Sequence, residues 1–113
     1  MDKQKLVDAG INYDDGLKRF GGNVNLYEKF LKKFPADTAY TQLAEALKTQ
    51  EYETAFKLSH TMKGTTGNLS MDDLYNNLFP LVEALRSNQY ENVDEMMEKV
   101  TASYETVMQA LEE

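Results

Sequence analysis

Apolar residues recur every three or four positions along most of this chain, and no stretch alternates as a half-buried strand does. The pattern predicts helices. Residues 2–9 read as a short helix that stops at Gly10. Asn12 is placed as the N-cap of a second helix, with Asp14 and Asp15 in the first turn, where the helix dipole favours acids. That helix carries Leu17 and Phe20 and ends at Gly21-Gly22. Asn25 with Glu28 reads as a capping box for a third, whose stripe is Leu26, Phe30 with Leu31, and Phe34. Pro35 follows, and the period resumes at Tyr40, Leu43, Ala44 and Leu47. Residues 25–49 therefore predict one long helix kinked at Pro35 or two helices abutting there.

A turn near Thr49-Gln50 leads to a helix over residues 51–69. Ser70 is expected to cap the next helix, which has Asp72 and Asp73 in its first turn. Its stripe is Met71, Leu74, Leu78, Leu81 with Val82, and Leu85, and a bend is expected at Pro80. Asn92 and Glu95 form a second predicted capping box. The last helix repeats Val93, Met97, Val100, Tyr104, Val107 and Leu111, three and four apart, as in the seam of a bundle. The expected fold is all-α: an antiparallel four-helix bundle with one or two short N-terminal helices, forming one domain over residues 1–113.

Composition narrows the function. The 113 residues suit one core. Absence of cysteine excludes disulfides, thiolate catalysis and cysteine metal sites. A formal charge of −7 repels phosphate backbones and argues against general nucleic-acid binding. No apolar run approaches the roughly 18 residues of a membrane span, and the N-terminus lacks the apolar core of a signal peptide. The expected compartment is the cytoplasm. Met1 and the short tail after Leu111 favour a free-standing protein over a piece of a longer one.

The chain has one histidine, His60, so its face on the helix decides what it can do. At about 100° per residue, Leu58, Met62 and Leu69 lie roughly opposite His60. Ala55 and Thr66 flank them, which makes that side the core face. His60 shares the other side with Glu53, Phe56, Lys57, Lys63, Gly64 and Gly67. An aromatic ring thus points where solvent is expected. Two glycines sit inside a helix, each at a cost of about 1 kcal/mol relative to alanine, and both point away from the core. Helical side chains lean toward the N-terminus, so a side chain at 64 would project over His60, and glycine leaves the imidazole open. Lys63 lies within reach of a group bonded to that ring. Neutral imidazole is nucleophilic near pH 7, and an ammonium beside it can offset charge on phosphoryl oxygens. The arrangement suits acceptance and donation of a phosphoryl group.

The stretch His60-Thr61-Met62-Lys63-Gly64-Thr65-Thr66-Gly67-Asn68-Leu69 resembles the signature of the histidine-containing phosphotransfer (HPt) domain family. That signature reads H-x-L-K-G, then small residues, then an apolar residue and glycine, then leucine four further on, here Leu74. The opening is similar too: Gly10-Ile11-Asn12-Tyr13-Asp14-Asp15-Gly16-Leu17, Phe20-Gly21-Gly22-Asn23, Leu26-Tyr27, and Leu31 with Phe34. The likeness runs from about residue 10 to the end. Met62 replaces the usual leucine, and Ser70 stands where the family often has glycine. The resemblance implies a phosphocarrier, not a turnover enzyme, phosphorylated on Nε2 of His60. Lys63 would assist the phosphoryl group, and Gly64 would keep the approach clear. Phe56, Lys57 and Gly67 are the expected docking residues, with Lys57 and Lys63 making the local field positive. The implied partners are response-regulator receiver domains, including that of a hybrid sensor kinase. No cofactor is implied in this chain, because the magnesium belongs to the receiver. A monomer is expected.

Three other readings compete. A module of the same fold could dock receiver domains and transfer nothing. The dimerisation domain of a sensor kinase generally has an acidic residue after its histidine, where this chain has Thr61. A metal site would have one histidine and carboxylates, and Glu53 is almost two turns from His60. A hydrolytic serine–histidine pair is disfavoured because Ser59 lies about 100° around the helix.

Overall fold

The computed structural model describes residues 1–112. Seven α-helices and one 3₁₀ turn follow one another, with no strand among the described residues. The helices are α1 (Lys3–Asp8), α2 (Tyr13–Arg19), α3 (Val24–Lys33), α4 (Ala39–Lys48), α5 (Tyr52–Asn68), α6 (Asp72–Arg86) and α7 (Val93–Leu111). The 3₁₀ turn Phe34–Ala36 lies between α3 and α4. In a body of 40 × 24 × 20 Å, α5 packs between α4 and α6, and α7 covers α6. Helix α1 touches α2 and α7, and α2 leads onto α3. No helix among the described residues is long and apolar enough to cross a membrane.

The stripes of the later helices fall inward as their spacing predicts. Met71, Leu74, Leu78, Leu81, Val82 and Leu85 are all buried, as are Val93, Val100, Val107 and Leu111. Each fully buried Leu or Val contributes about 1.5–3 kcal/mol relative to exposure. Met97 and Tyr104 are half-buried. The Tyr104 ring stacks on Tyr40 of α4, with centroids 3.8 Å apart, and so ties α7 back to α4. Helix α6 runs unbroken through Pro80; that residue and Asn76, whose carbonyl loses its donor, both lie on the exposed face.

Several expected boundaries move. Residues 25–49 form two helices, because Pro35 converts the end of α3 into a 3₁₀ turn and α4 restarts at Ala39. The cap of α3 is Asn23, whose side chain accepts from the Leu26 N–H at 3.0 Å, and not Asn25. Glu28 instead accepts from the Tyr13 hydroxyl at 2.8 Å. With the start of α3 shifted, its inward stripe is Tyr27, Leu31 and Phe34, whereas Leu26 and Phe30 are exposed. Asn92 occupies the N-cap position of α7 but makes no side-chain capping bond, so the Asn92–Glu95 box is not formed.

Ser70 is not the cap of α6 either; Met71 holds that position, without a side-chain cap. Ser70 is buried at φ 56°, in the left-handed region where glycine is usual. Its hydroxyl donates to Asp15 at 2.7 Å. This turn anchors the C-terminal end of α5 to the N-terminal segment. The Tyr27 hydroxyl donates to the Leu69 carbonyl at 2.8 Å, Asn12 N–H donates to the Ser70 carbonyl at 2.8 Å, and Asp73 N–H donates to the Gly10 carbonyl at 3.2 Å. Gly10 has φ 83°, and a Cβ there would collide with the Asp73 side chain.

Candidate functional site

Helix α5 turns Ala55, Ser59, Met62 and Thr66 into the core. Leu58, expected on that face, is only half-buried; Ser59 takes its place, bonding its hydroxyl to the Phe56 carbonyl at 3.1 Å. A buried Ser59 committed to the backbone has no hydroxyl to offer His60. The imidazole stands on the opposite side, exposed. Among the described residues neither ring nitrogen has a hydrogen-bond partner, and the ring's neighbour is Phe56, one turn back. Their centroids are 5.8 Å apart and the planes 29° from parallel.

Gly64 is exposed, and a Cβ built on it meets nothing within 4 Å. The fold therefore has no packing need for glycine there. Gly67 differs from expectation. Its Cβ would come to 3.2 Å from the Tyr75 ring of α6, so this glycine serves a close helix–helix approach and is half-buried.

Helix α6 supplies a second wall of the site that the face of α5 alone does not reveal. The Lys63 ammonium lies 5.0 Å from the centroid of Phe79, and the Arg86 guanidinium lies 5.1 Å from that of Phe56. Lys63 forms no ion pair among the described residues, whereas Lys57 is 3.7 Å from Glu53 on the same helix. Lys63 is thus the cation beside His60 whose charge is not already shared with a carboxylate. Beyond Gly64, a shallow cleft of about 370 Å³ is lined by Arg19, Lys63, Gly67, Asn68, Asp72 and Tyr75.

The expected site residues His60, Lys63, Gly64, Phe56 and Lys57 do gather on one side of α5. Phe79, Arg86 and Tyr75 were not anticipated. The available signal was Phe79 itself: a large aromatic one step off the apolar stripe of α6, left 46% exposed. Among the described residues, no group of three or more His, Asp or Glu side chains is placed to hold a metal ion. Arg19 bonds Asp15 at 2.9 Å, and that bond, with the Ser70 hydroxyl, holds the Asp15 carboxyl below the usual carboxylate range. Comparison of the chain with protein-family models, with curated proteins and with solved structures finds no match.

Proposed function

We propose that the chain is a phosphorelay phosphocarrier of the HPt type. His60 accepts a phosphoryl group from an aspartyl phosphate on one response-regulator receiver domain and passes it to another. The Nε2 lone pair attacks phosphorus in line, the P–N bond forms, and the P–O bond breaks with its electron pair leaving on the receiver's carboxylate. Nδ1 keeps its proton. In the onward step a carboxylate oxygen of the second receiver attacks phosphorus, and the P–N electrons return to the ring. Lys63 offsets charge on the phosphoryl oxygens, while Phe56 and Lys57 contribute to docking. Magnesium enters with the receiver, and this chain contributes no cofactor. In this reading α3 with α4, α5, α6 and α7 make an antiparallel four-helix bundle, α1 and α2 are its short N-terminal additions, and the protein is a cytoplasmic monomer without turnover of its own.

The observation that carries the reading is Gly64. A residue that weakens the helix, packs against nothing, and sits one turn after the exposed His60 has its use in leaving that ring approachable. The test is incubation with a panel of phosphorylated receiver domains from the same genome. Transfer yields an acid-labile, base-stable phosphate on the wild type and none on His60→Gln. Binding to receivers without such a phosphate would make the protein a docking module instead.

A further inference from the structure

We propose that Phe79 is a positioning residue for Lys63, so that α6 as well as α5 sets the phosphoryl-transfer site; this rests on the phosphocarrier reading. Three contacts join the exposed edges of the two helices: Phe56 with Arg86, Lys63 with Phe79, and Gly67 with Tyr75. The residue numbers of each pair add to the same total. All three therefore belong to one antiparallel register, and His60 lies between the first two. The glycine at 67 lets α6 come close, and the close approach brings the Phe79 ring beside the lysine.

Phe79 has no role in the core. The buried stripe of α6 is Leu74, Leu78, Leu81, Val82 and Leu85, and Phe79 stands beside it in solvent, tilted against Tyr75 with centroids 6.5 Å apart. A phenylalanine left 46% exposed gains only part of what full burial would give. What it does contribute is a negative π-face under an ammonium 5.0 Å away. Lysine has a four-carbon stem with considerable rotamer entropy, and ordering it when a phosphoryl group arrives weakens the interaction. A ring that holds the ammonium in advance removes part of that loss. One side of the ammonium rests on the ring, and the remaining N–H donors stay available for phosphoryl oxygens.

Two measurements test the assignment. In the unphosphorylated protein, the Lys63 ε-methylene protons should show an upfield ring-current shift by NMR, lost in Phe79→Leu and kept in Phe79→Trp. With a receiver domain phosphorylated by acetyl phosphate as donor, Phe79→Leu should slow transfer at saturating donor by roughly two- to fivefold with KM little changed. Phe79→Trp should restore the rate. In a Lys63→Ala background, Phe79→Leu should have no further effect. If the loss persists without Lys63, or falls on KM alone, Phe79 is a docking contact and the assignment is overturned; absence of the ring-current shift overturns it as well. Failure of the wild type to take up phosphate at all would sink the phosphocarrier reading, while the NMR result would still report whether Phe79 holds Lys63.

Discussion

At Gly64 the interests of the fold and of the proposed chemistry diverge. Alanine there meets no atom within 4 Å and removes the entropic penalty of a mid-helix glycine. Gly64→Ala should therefore raise stability by about 1 kcal/mol, read as a shift in urea midpoint at constant slope. Gly64→Leu should keep most of that gain and yet slow phosphoryl uptake strongly, because its side chain leans back over the imidazole. A leucine variant that transfers at the wild-type rate would leave the glycine without a function. His60 itself makes no hydrogen bond or ion pair among the described residues, so His60→Gln should change stability by less than about 0.5 kcal/mol. Ser70 balances two terms. Its left-handed backbone costs a non-glycine residue roughly 1–2 kcal/mol, and its hydroxyl recovers part of that through Asp15. Alanine keeps the strain and loses the bond, while glycine loses both, so Ser70→Ala should be the less stable variant. The same hydroxyl helps lower the Asp15 pKa, after Arg19, so that pKa should rise in Ser70→Ala when followed by carboxyl ¹³C NMR.

At the scale of elements, the sequence was most legible where period and packing coincide. Helix α6 buries the residues its spacing singles out, α7 buries four of its six and half-buries Met97 and Tyr104, and α5 turns His60 outward as expected. It was least legible at caps. Asn23 and Asn25 are both good N-cap residues three positions before a helical N–H, and only the packing of Tyr27 under α2 decides between them. Once Tyr27 is fixed inward, Leu26 and Phe30 must face out. Tyr27 takes that place because Gly16 makes room: a Cβ on Gly16 would overlap the Tyr27 phenol ring. Gly16→Ala should thus cost about 1–3 kcal/mol by overpacking, despite alanine's better helix propensity, and thermal unfolding checks the sign. The contribution of α6 to the site was illegible for a different reason. Periodicity gives the face of each helix but not the register between two of them, and it is the register that brings Phe79 to Lys63 and Arg86 to Phe56.

Across the whole molecule, the N-terminal third acts on the site from a distance. It binds the turn after α5 through Tyr27, Asn12 and Asp15, and the start of α6 through Gly10, and so fixes the end of the helix that presents His60. Tyr27 is the member of this set whose state changes at alkaline pH, as that of Asp15 changes at acid pH. Its phenol is fully buried, and burial first, then the nearby Tyr13, Asp15 and Asp72, push its pKa well above the ordinary tyrosine value. A folded-state pKa raised above the unfolded one means stability that is complete below about pH 10 and declines as pH climbs from there toward the folded value. Tyr13, raised by burial and by its bond to Glu28, acts in the same direction. With two tyrosines acting together, the wild-type decline alone does not isolate Tyr27, but Tyr27→Phe does. At neutral pH that variant should lose about 1–3 kcal/mol, because the Leu69 carbonyl is left without its donor. Above pH 10 its disadvantage should shrink, since phenylalanine has no proton to lose. Parallel curves of unfolding free energy against pH for the two proteins would place the alkaline sensitivity elsewhere; convergent curves would locate it at the phenol that secures the end of the His60 helix.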